Sequence, residues 1–316
     1  MTCIRCKHSE AKRFGFGRNK VQRYRCPSCN STFSEPREKP LGRHYISTEK
    51  GAQIVNLTLE GMSIRAISRT TGVHQGTILS LLLTVGNKSR NLFDARVRNM
   101  RPRFVQADEL WTFIHTKEGH LHGDVPKEWG DAYVWMAIDS ESKMVLSYLV
   151  GKRDAANCMG FVRDLSERVT GRFQITTDGL SIYRGAIEEY FGADVDFAQL
   201  FKLYGKANPQ GPEWYNPTKV VAAVPVPVSG NPKMEHISTS HVERANLSVR
   251  THLRRFTRLS LGFSKTLEHL TAAVNLYMAF FNFCRVHSTL RVTPAMQAGI
   301  TDHVWSVTEL LTWTGE

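Results

Sequence analysis

Apolar residues recur at helical spacing in the first third of the chain. They alternate at strand spacing in the middle and return to helical spacing near the end. Residues 49–60 put Ile54, Val55 and Leu57 on one side of a helix. Ser63 then caps a second helix, with Ile64 and Ile67 inward, and Thr71-Gly72-Val73 makes a sharp turn. A third helix starts near His74, with Ile78, Leu81 and Leu82 inward. Two helices about a glycine turn predict a helix-turn-helix, which leaves Arg69, His74, Gln75 and Thr77 to face DNA. The alternative is a small helical subdomain without DNA readout.

Strand patterns follow over Phe104–Ile114, Ala132–Asp139 and Met144–Gly151, the last two joined by the turn at 140–143. Alternation along the first strand groups Asp108 with Gln106 and Leu110. It sends Glu109 to the other face with Ala107, Trp111 and Phe113, so only one of the two acids is expected in a given site. Asp154–Val169 predicts a helix with Cys158, Phe161, Val162 and Leu165 inward. Phe173 to Gly179 predicts a strand ending on Asp178, and Ile182–Phe191 a second helix. Residues 201–239 are proline-rich and predict an insertion in which Lys202, Lys206 and Lys219 are either solvated or within reach of DNA. A helix over Ser240–Phe256, capped by Ser240, puts Val242, Val249, Leu253 and Phe256 on one side. Glu243, Arg250, Arg254 and, past its end, Arg258 fall on the other. One acid followed only by arginines is either an ordinary capped amphipathic helix or a carboxylate serving a metal beside cations that hold a polyanion. A long apolar helix is expected at Leu267–Phe283, followed by Arg285 and His287.

Composition narrows these choices. The chain has 316 residues, a formal net charge of +12, 41% hydrophobic and 22% charged residues. That is globular composition with room for two or three domains, and the charge suits a polyanionic partner. No apolar run approaches the ~20 residues of a membrane span, and no apolar signal core opens the chain, so a cytoplasmic location is expected. Cys3-x2-Cys6 and Cys26-x2-Cys29 have the paired spacing of a tetrahedral Zn²⁺ site on a short hairpin. Residues 1–45 carry eleven Lys and Arg against Glu10, Glu35 and Glu38, so this knuckle is expected to touch DNA phosphates as well. Cys158 and Cys284 lie in apolar surroundings and are expected to be inert.

Three strands, then helix, strand and helix, is the order of an RNase H-like fold, in which the first and fourth strands are neighbours. That order brings Asp108 and Asp178 together at the sheet centre. Taken singly, Asp178 suits a helix cap and Asp108 a partner for a nearby arginine. The expected fold class is α/β: an RNase H-like catalytic core, a mixed sheet with helices, preceded by a zinc ribbon and a helix-turn-helix domain. The corresponding divisions are a zinc ribbon at 1–35, a linker at 36–46, the helix-turn-helix at 47–88 and a basic linker at 89–103. The core spans 104–265 with its insertion at 201–239, and a helical tail spans 266–316.

Four stretches carry a resemblance to a known family. They are Arg23-Tyr-Arg-Cys-Pro-Ser-Cys29, Ala107-Asp-Glu-Leu-Trp111, Thr177-Asp-Gly179, and His241-Val-Glu-Arg-Ala-Asn246 continuing to Phe263-Ser-Lys265. They resemble the Asp-Asp-Glu transposases of bacterial insertion sequences, above all the insertion element one type. The resemblance implies Asp108, Asp178 and Glu243 as a catalytic triad, preceding domains that bind the element's terminal repeats, an oligomer on DNA, and a nucleoid-associated protein. The long gap between Asp178 and Glu243 departs from compact members and makes Glu213 and Glu235 weaker substitutes for the third acid.

The chemistry fits the residues. Three converging carboxylates repel one another unless cations intervene, and two Mg²⁺ (or Mn²⁺) ions ~3.5–4 Å apart supply both that charge and in-line phosphoryl displacement. Arg244, Arg250, Arg254 and Arg258 are expected to hold phosphates independently of sequence. Two other readings stay open. A transcription regulator explains residues 1–88 and the charge but gives the acids no work, and a nuclease of the same fold would cut without joining.

Overall fold

The computed structural model describes residues 1–17, 21–34, 40–42, 44–205, 220–257 and 260–315. The chain divides into two compact units, Met1–Arg43 and His44–Glu316.

In the first unit β1 (Lys12–Phe16), β2 (Gln22–Arg25) and β3 (Thr32–Ser34) form an antiparallel sheet in that order. Among the described residues its core cluster is Cys3, Ala11, Cys26 and Phe33, with Tyr24 packed against it. So little apolar material cannot offset the entropy of ordering the chain.

The second unit opens with α1 (Thr48–Leu59), α2 (Ile64–Thr71) and α3 (Gln75–Arg96). Ser47 and Ser63 cap the first two by accepting from Lys50 N and Ala66 N. Gly72 ends α2 at φ 72°, as the expected sharp turn requires. The stretch at 89–103, expected to be a linker, is helical as far as Arg96. It is held there because Arg90 pairs with Asp94 and Asp164. Arg168, fully buried, bonds Asp94 and Asp164 as well, so α3 is fastened by ion pairs to the helix that carries Asp164.

The central sheet has six strands: β4 (Phe104–Ile114), β5 (Gly130–Asp139), β6 (Val145–Gly151), β7 (Phe173–Asp178), β8 (Val195–Tyr204) and β9 (Val220–Ser229). Their order is β6-β5-β4-β7-β8-β9. The pairs β6–β5, β5–β4 and β8–β9 are antiparallel, and β4–β7 and β7–β8 parallel. This is the RNase H-like order, with the first and fourth strands of the sheet side by side. The crossover helices are α4 (Ala155–Ser166) and α5 (Ile182–Phe191). The supposed insertion is sheet at both described ends: Phe201–Tyr204 completes β8, and the valine run with Pro225 and Pro227 is the edge strand β9. An edge strand tolerates proline because one side of its backbone needs no donor.

After the sheet come α6 (Ser240–His252), α7 (Leu267–Ala279), α8 (Pro294–Gln297) and α9 (Val307–Thr312). The buried Gln106 of β4 accepts from the backbone N–H of His241 and Val242 at 2.8 and 3.2 Å, which seats the start of α6 against β4. α6 ends at His252, four residues before the Phe256 expected, and Arg254–Phe256 form a separate 3-10 turn. Its N-cap is Thr239, not Ser240, and Thr239 makes no side-chain bond to the helix backbone. α3 and α7 cross closely: a Cβ on Gly86 would lie 2.4 Å from Ala272 O. The expected long helix at Leu267–Phe283 is α7 followed by a π turn at Phe280–Cys284. Asn282 in that turn bonds both N–H and C=O of Val145, tying the tail to edge strand β6.

Candidate active site

The parallel pairing of β4 and β7 ends with Ala107 beside Thr177, so the next residues, Asp108 and Asp178, emerge together at the sheet centre. Carboxylate oxygens of Asp108, Glu109 and Asp178 lie within 4.8 Å of one another. A cavity of about 440 Å³ is lined by Asp108, Asp178, Gly179, Lys202, Thr239 and Glu243 among others. The two aspartates and the glutamate expected from the sequence therefore face one space. Gly179 fits because any Cβ there would meet the Phe201 ring at 2.6 Å.

Asp108 accepts from Asn246 Nδ2 at 2.8 Å. Burial first, then the charges of Glu109 and Asp178, push its carboxyl up to about 7, with Glu243 adding to the effect. Asn246 lies one helical turn after Glu243, so both reach the same side of α6. Its Oδ1 is buried and has no partner among the described residues. Asp178 Oδ1 accepts from Leu180 N at 3.0 Å, which satisfies the turn into α5. The local turn role and a place in the acid cluster thus coexist. Glu243 Oε1 accepts from Thr239 Oγ1 and pairs with Lys202 Nζ.

Strict strand alternation does not hold at Glu109. Its side chain is only 2% exposed, yet its carboxylate joins the cluster rather than leaving by the far face. Here β4 runs past the end of its pairing with β7 at Ala107–Thr177. Tyr183 Oη donates to Glu109 Oε1, and Arg153 Nε donates to Oε2 at 3.0 Å. Arg153 also lies 3.6 Å from Asp178 Oδ2. Burial, then the charge of Asp178, raises the Glu109 pKa against the pull of Tyr183 and Arg153. Glu109, Arg153, Asn246 and Lys202 were not singled out from sequence for this site. Asn246 alone left a signal there, closing the His241–Asn246 motif.

The arginines expected to hold phosphates separate. Arg244 and Arg254 are exposed, Arg254 now beyond the helix end. Arg250 instead points its guanidinium at the carbonyls of Trp111 and Phe256, at 3.4 and 3.5 Å. Arg258 lies outside the described residues, as do Lys206, Glu213 and Lys219. Glu235 is described and sits in the turn Met234–His236, away from the cavity's lining. His287 bonds its own loop. At the helical end of the unit Arg69, His74 and Gln75 are exposed and Thr77 is half-buried. His74 spends its Nδ1 capping α3 through Gly76 N at 3.1 Å.

In the N-terminal unit Cys3, Cys6, Cys26 and Cys29 bring their sulfurs within 4.8 Å of one another. Cys3 and Cys29 sulfurs are 3.6 Å apart, and those of Cys6 and Cys26 3.5 Å. Cys158 is buried and Cys284 half-buried, as inert thiols would be.

Residues 126–203 match the family model described as a DDE domain, of the IS240 type of insertion-sequence transposases. The match contains Asp178; Asp108 precedes it and Glu243 follows it. No curated protein matches the chain. Among solved structures, the simian T-cell lymphotropic virus intasome in complex with PP2A regulatory subunit B56 gamma is 13% identical. That match covers 78% of this chain and 74% of the other, at a TM-score of 0.35. The piggyBac transposase synaptic complex with hairpin DNA is 11% identical, covering 88% and 72%, at 0.36. The Mos1 transposase paired-end complex with left transposon end is 11% identical, covering 52% and 62%, at 0.21. No described helix is long and apolar enough to cross a membrane. The DDE-domain match covers β5 to β8, including Asp178, whose strand pairs with the one that carries Asp108, and it supports a DDE-type DNA transposase.

Proposed function

We propose that this transposase binds the terminal repeats of its own element and performs strand cleavage and strand transfer with Asp108, Asp178 and Glu243 as its acid triad. The observation that carries the proposal is the single cavity onto which all three carboxylates open. Its donors are hard oxygens, the set that suits Mg²⁺ or Mn²⁺. Burial first, and then the neighbouring carboxylates of Glu109 and Asp178, raise the Asp108 pKa, and a bound cation would oppose both. Two such ions, when bound, would cancel that charge, activate the attacking hydroxyl and stabilise the leaving oxygen.

The chain's own residues supply orientation. Asn246 fixes one oxygen of Asp108, Leu180 N one oxygen of Asp178, and Thr239 one oxygen of Glu243. Glu109 is a poor third ligand because Tyr183 and Arg153 already occupy both its oxygens. Arg244 and Arg254 are exposed to take DNA phosphates, while Arg250 braces backbone. Arg69 near the end of α2, and Gln75 and Thr77 in the first turn of α3 that His74 caps, would read bases.

The four cysteines suit structural zinc. A Zn–S bond of ~2.3 Å implies sulfurs about 3.8 Å apart, close to the spacings found. Pairing two element ends calls for more than one subunit, and the motif around Glu243 favours the insertion element one type.

Substitution tests the triad. Asp108→Asn, Asp178→Asn and Glu243→Gln should each lower end cleavage by about 10³-fold or more while leaving DNA binding near wild type. Glu109→Gln should retain measurable cleavage. Full activity in Glu243→Gln would remove Glu243 from the triad.

A further inference from the structure

Two side-chain cations flank the acids, and they are held very differently. Arg153 is anchored by Glu109, whose side chain is 2% exposed. Lys202 comes from β8, on the opposite flank, and reaches across to Glu243 of α6. Glu243 and Lys202 are 42% and 23% exposed, and both line the cavity shared with Asp108 and Asp178. A lysine ammonium is a compact charge on a four-carbon stem, and a partly exposed pair of this kind is weak enough to be exchanged. Its position matters more than its strength. The ammonium sits on the same Oε1 that Thr239 orients.

We infer that Lys202 is a built-in counter-ion that holds Glu243 until a divalent cation displaces it, so that Lys202 sets the affinity of the site for metal. The inference rests on the metal-binding reading of the acid cluster. When Glu243 turns to a metal ion its bond to Lys202 is given up, and the freed ammonium stays at the wall of the same cavity. Arg153 cannot take this part, because leaving Glu109 would strand a buried carboxylate.

The test is Mn²⁺ titration of the full, zinc-loaded chain without DNA, following free Mn²⁺ by electron paramagnetic resonance. Lys202→Met should bind Mn²⁺ about five-fold more tightly than wild type, about 1 kcal/mol. Lys202→Arg, which keeps the charge, should stay near wild type and shows that the position tolerates change. In a Glu243→Gln background Lys202→Met should no longer alter the affinity. Unchanged or weaker binding in Lys202→Met overturns the inference, and so does an equal gain in both backgrounds, which would be a general charge effect. Failure of the underlying reading looks different: wild type would show no saturable Mn²⁺ binding, or binding that Asp178→Asn leaves intact.

Discussion

Asp108 is placed at an energetic cost. Its carboxyl is largely withdrawn from water and faces Glu109 and Asp178, with Asn246 as its one side-chain donor among the described residues. A carboxyl whose folded pKa lies at about 7, above its ordinary value of 3.8, favours the folded state at low pH. That contribution is complete below the unfolded pKa and is lost as pH rises through about 7. Zinc-loaded protein without added Mg²⁺ should therefore lose stability between pH 5.5 and 8. Asp108→Asn should raise Tm by several degrees at pH 8 and by roughly half as much at pH 5.5. Equal Tm gains at both pH values would mean that ionisation of Asp108 is not the cost. At this scale the sequence was informative wherever element order decided the outcome, since three strands before the alternating half made Asp108 and Asp178 neighbours. It was uninformative where a side chain crosses a strand end. Alternation alone sent Glu109 to the far face, and only the contacts with Tyr183 and Arg153 explain its position. Lys202 was hidden for a related reason: proline-rich surroundings read as a loop, and nothing local marks it as lying opposite Glu243.

Among the elements, α3 links the first two helices of the unit to its core. Its first turn is capped by His74, its middle crosses α7 at Gly86, and its last turns are pinned by the Arg90, Asp94 and Arg168 cluster. Alanine normally stabilises a helix interior relative to glycine by about 1 kcal/mol. At Gly86 the added methyl would meet backbone at 2.4 Å, so the clash should win. Gly86→Ala should cost about 1–3 kcal/mol in urea unfolding. A stabilised variant would show that the two helices separate readily. The polar stretch after residue 88 looked like a linker because its arginines were read as solvated, whereas two of the residues that hold it, Asp164 and Arg168, lie some seventy residues further on. α6 shows the opposite limit. Periodicity carried the helix on to Phe256, but Leu253 leaves helical geometry and turns Arg254 off the face it was expected to share with Glu243.

For the molecule as a whole, the two units differ in what holds them together. His44–Glu316 has an extensive apolar core, while the four-residue buried cluster of Met1–Arg43 includes two of the four clustered cysteines. Chelating zinc should therefore unfold the first unit and leave the helical circular dichroism signal nearly unchanged, and Cys26→Ser should reproduce the loss. A large fall in helical signal would show that the second unit depends on the metal too. The cavity joining Asp108, Asp178 and Glu243 is where DNA is proposed to be cut and joined. The most direct measurement incubates wild type and Asp178→Asn with Mg²⁺ and a labelled duplex carrying the DNA that flanks this gene, and scores both cleaved and joined products. Wild type alone should give cleavage followed by joined products. Cleavage that never leads to joining, or equal products from Asp178→Asn, would contradict it.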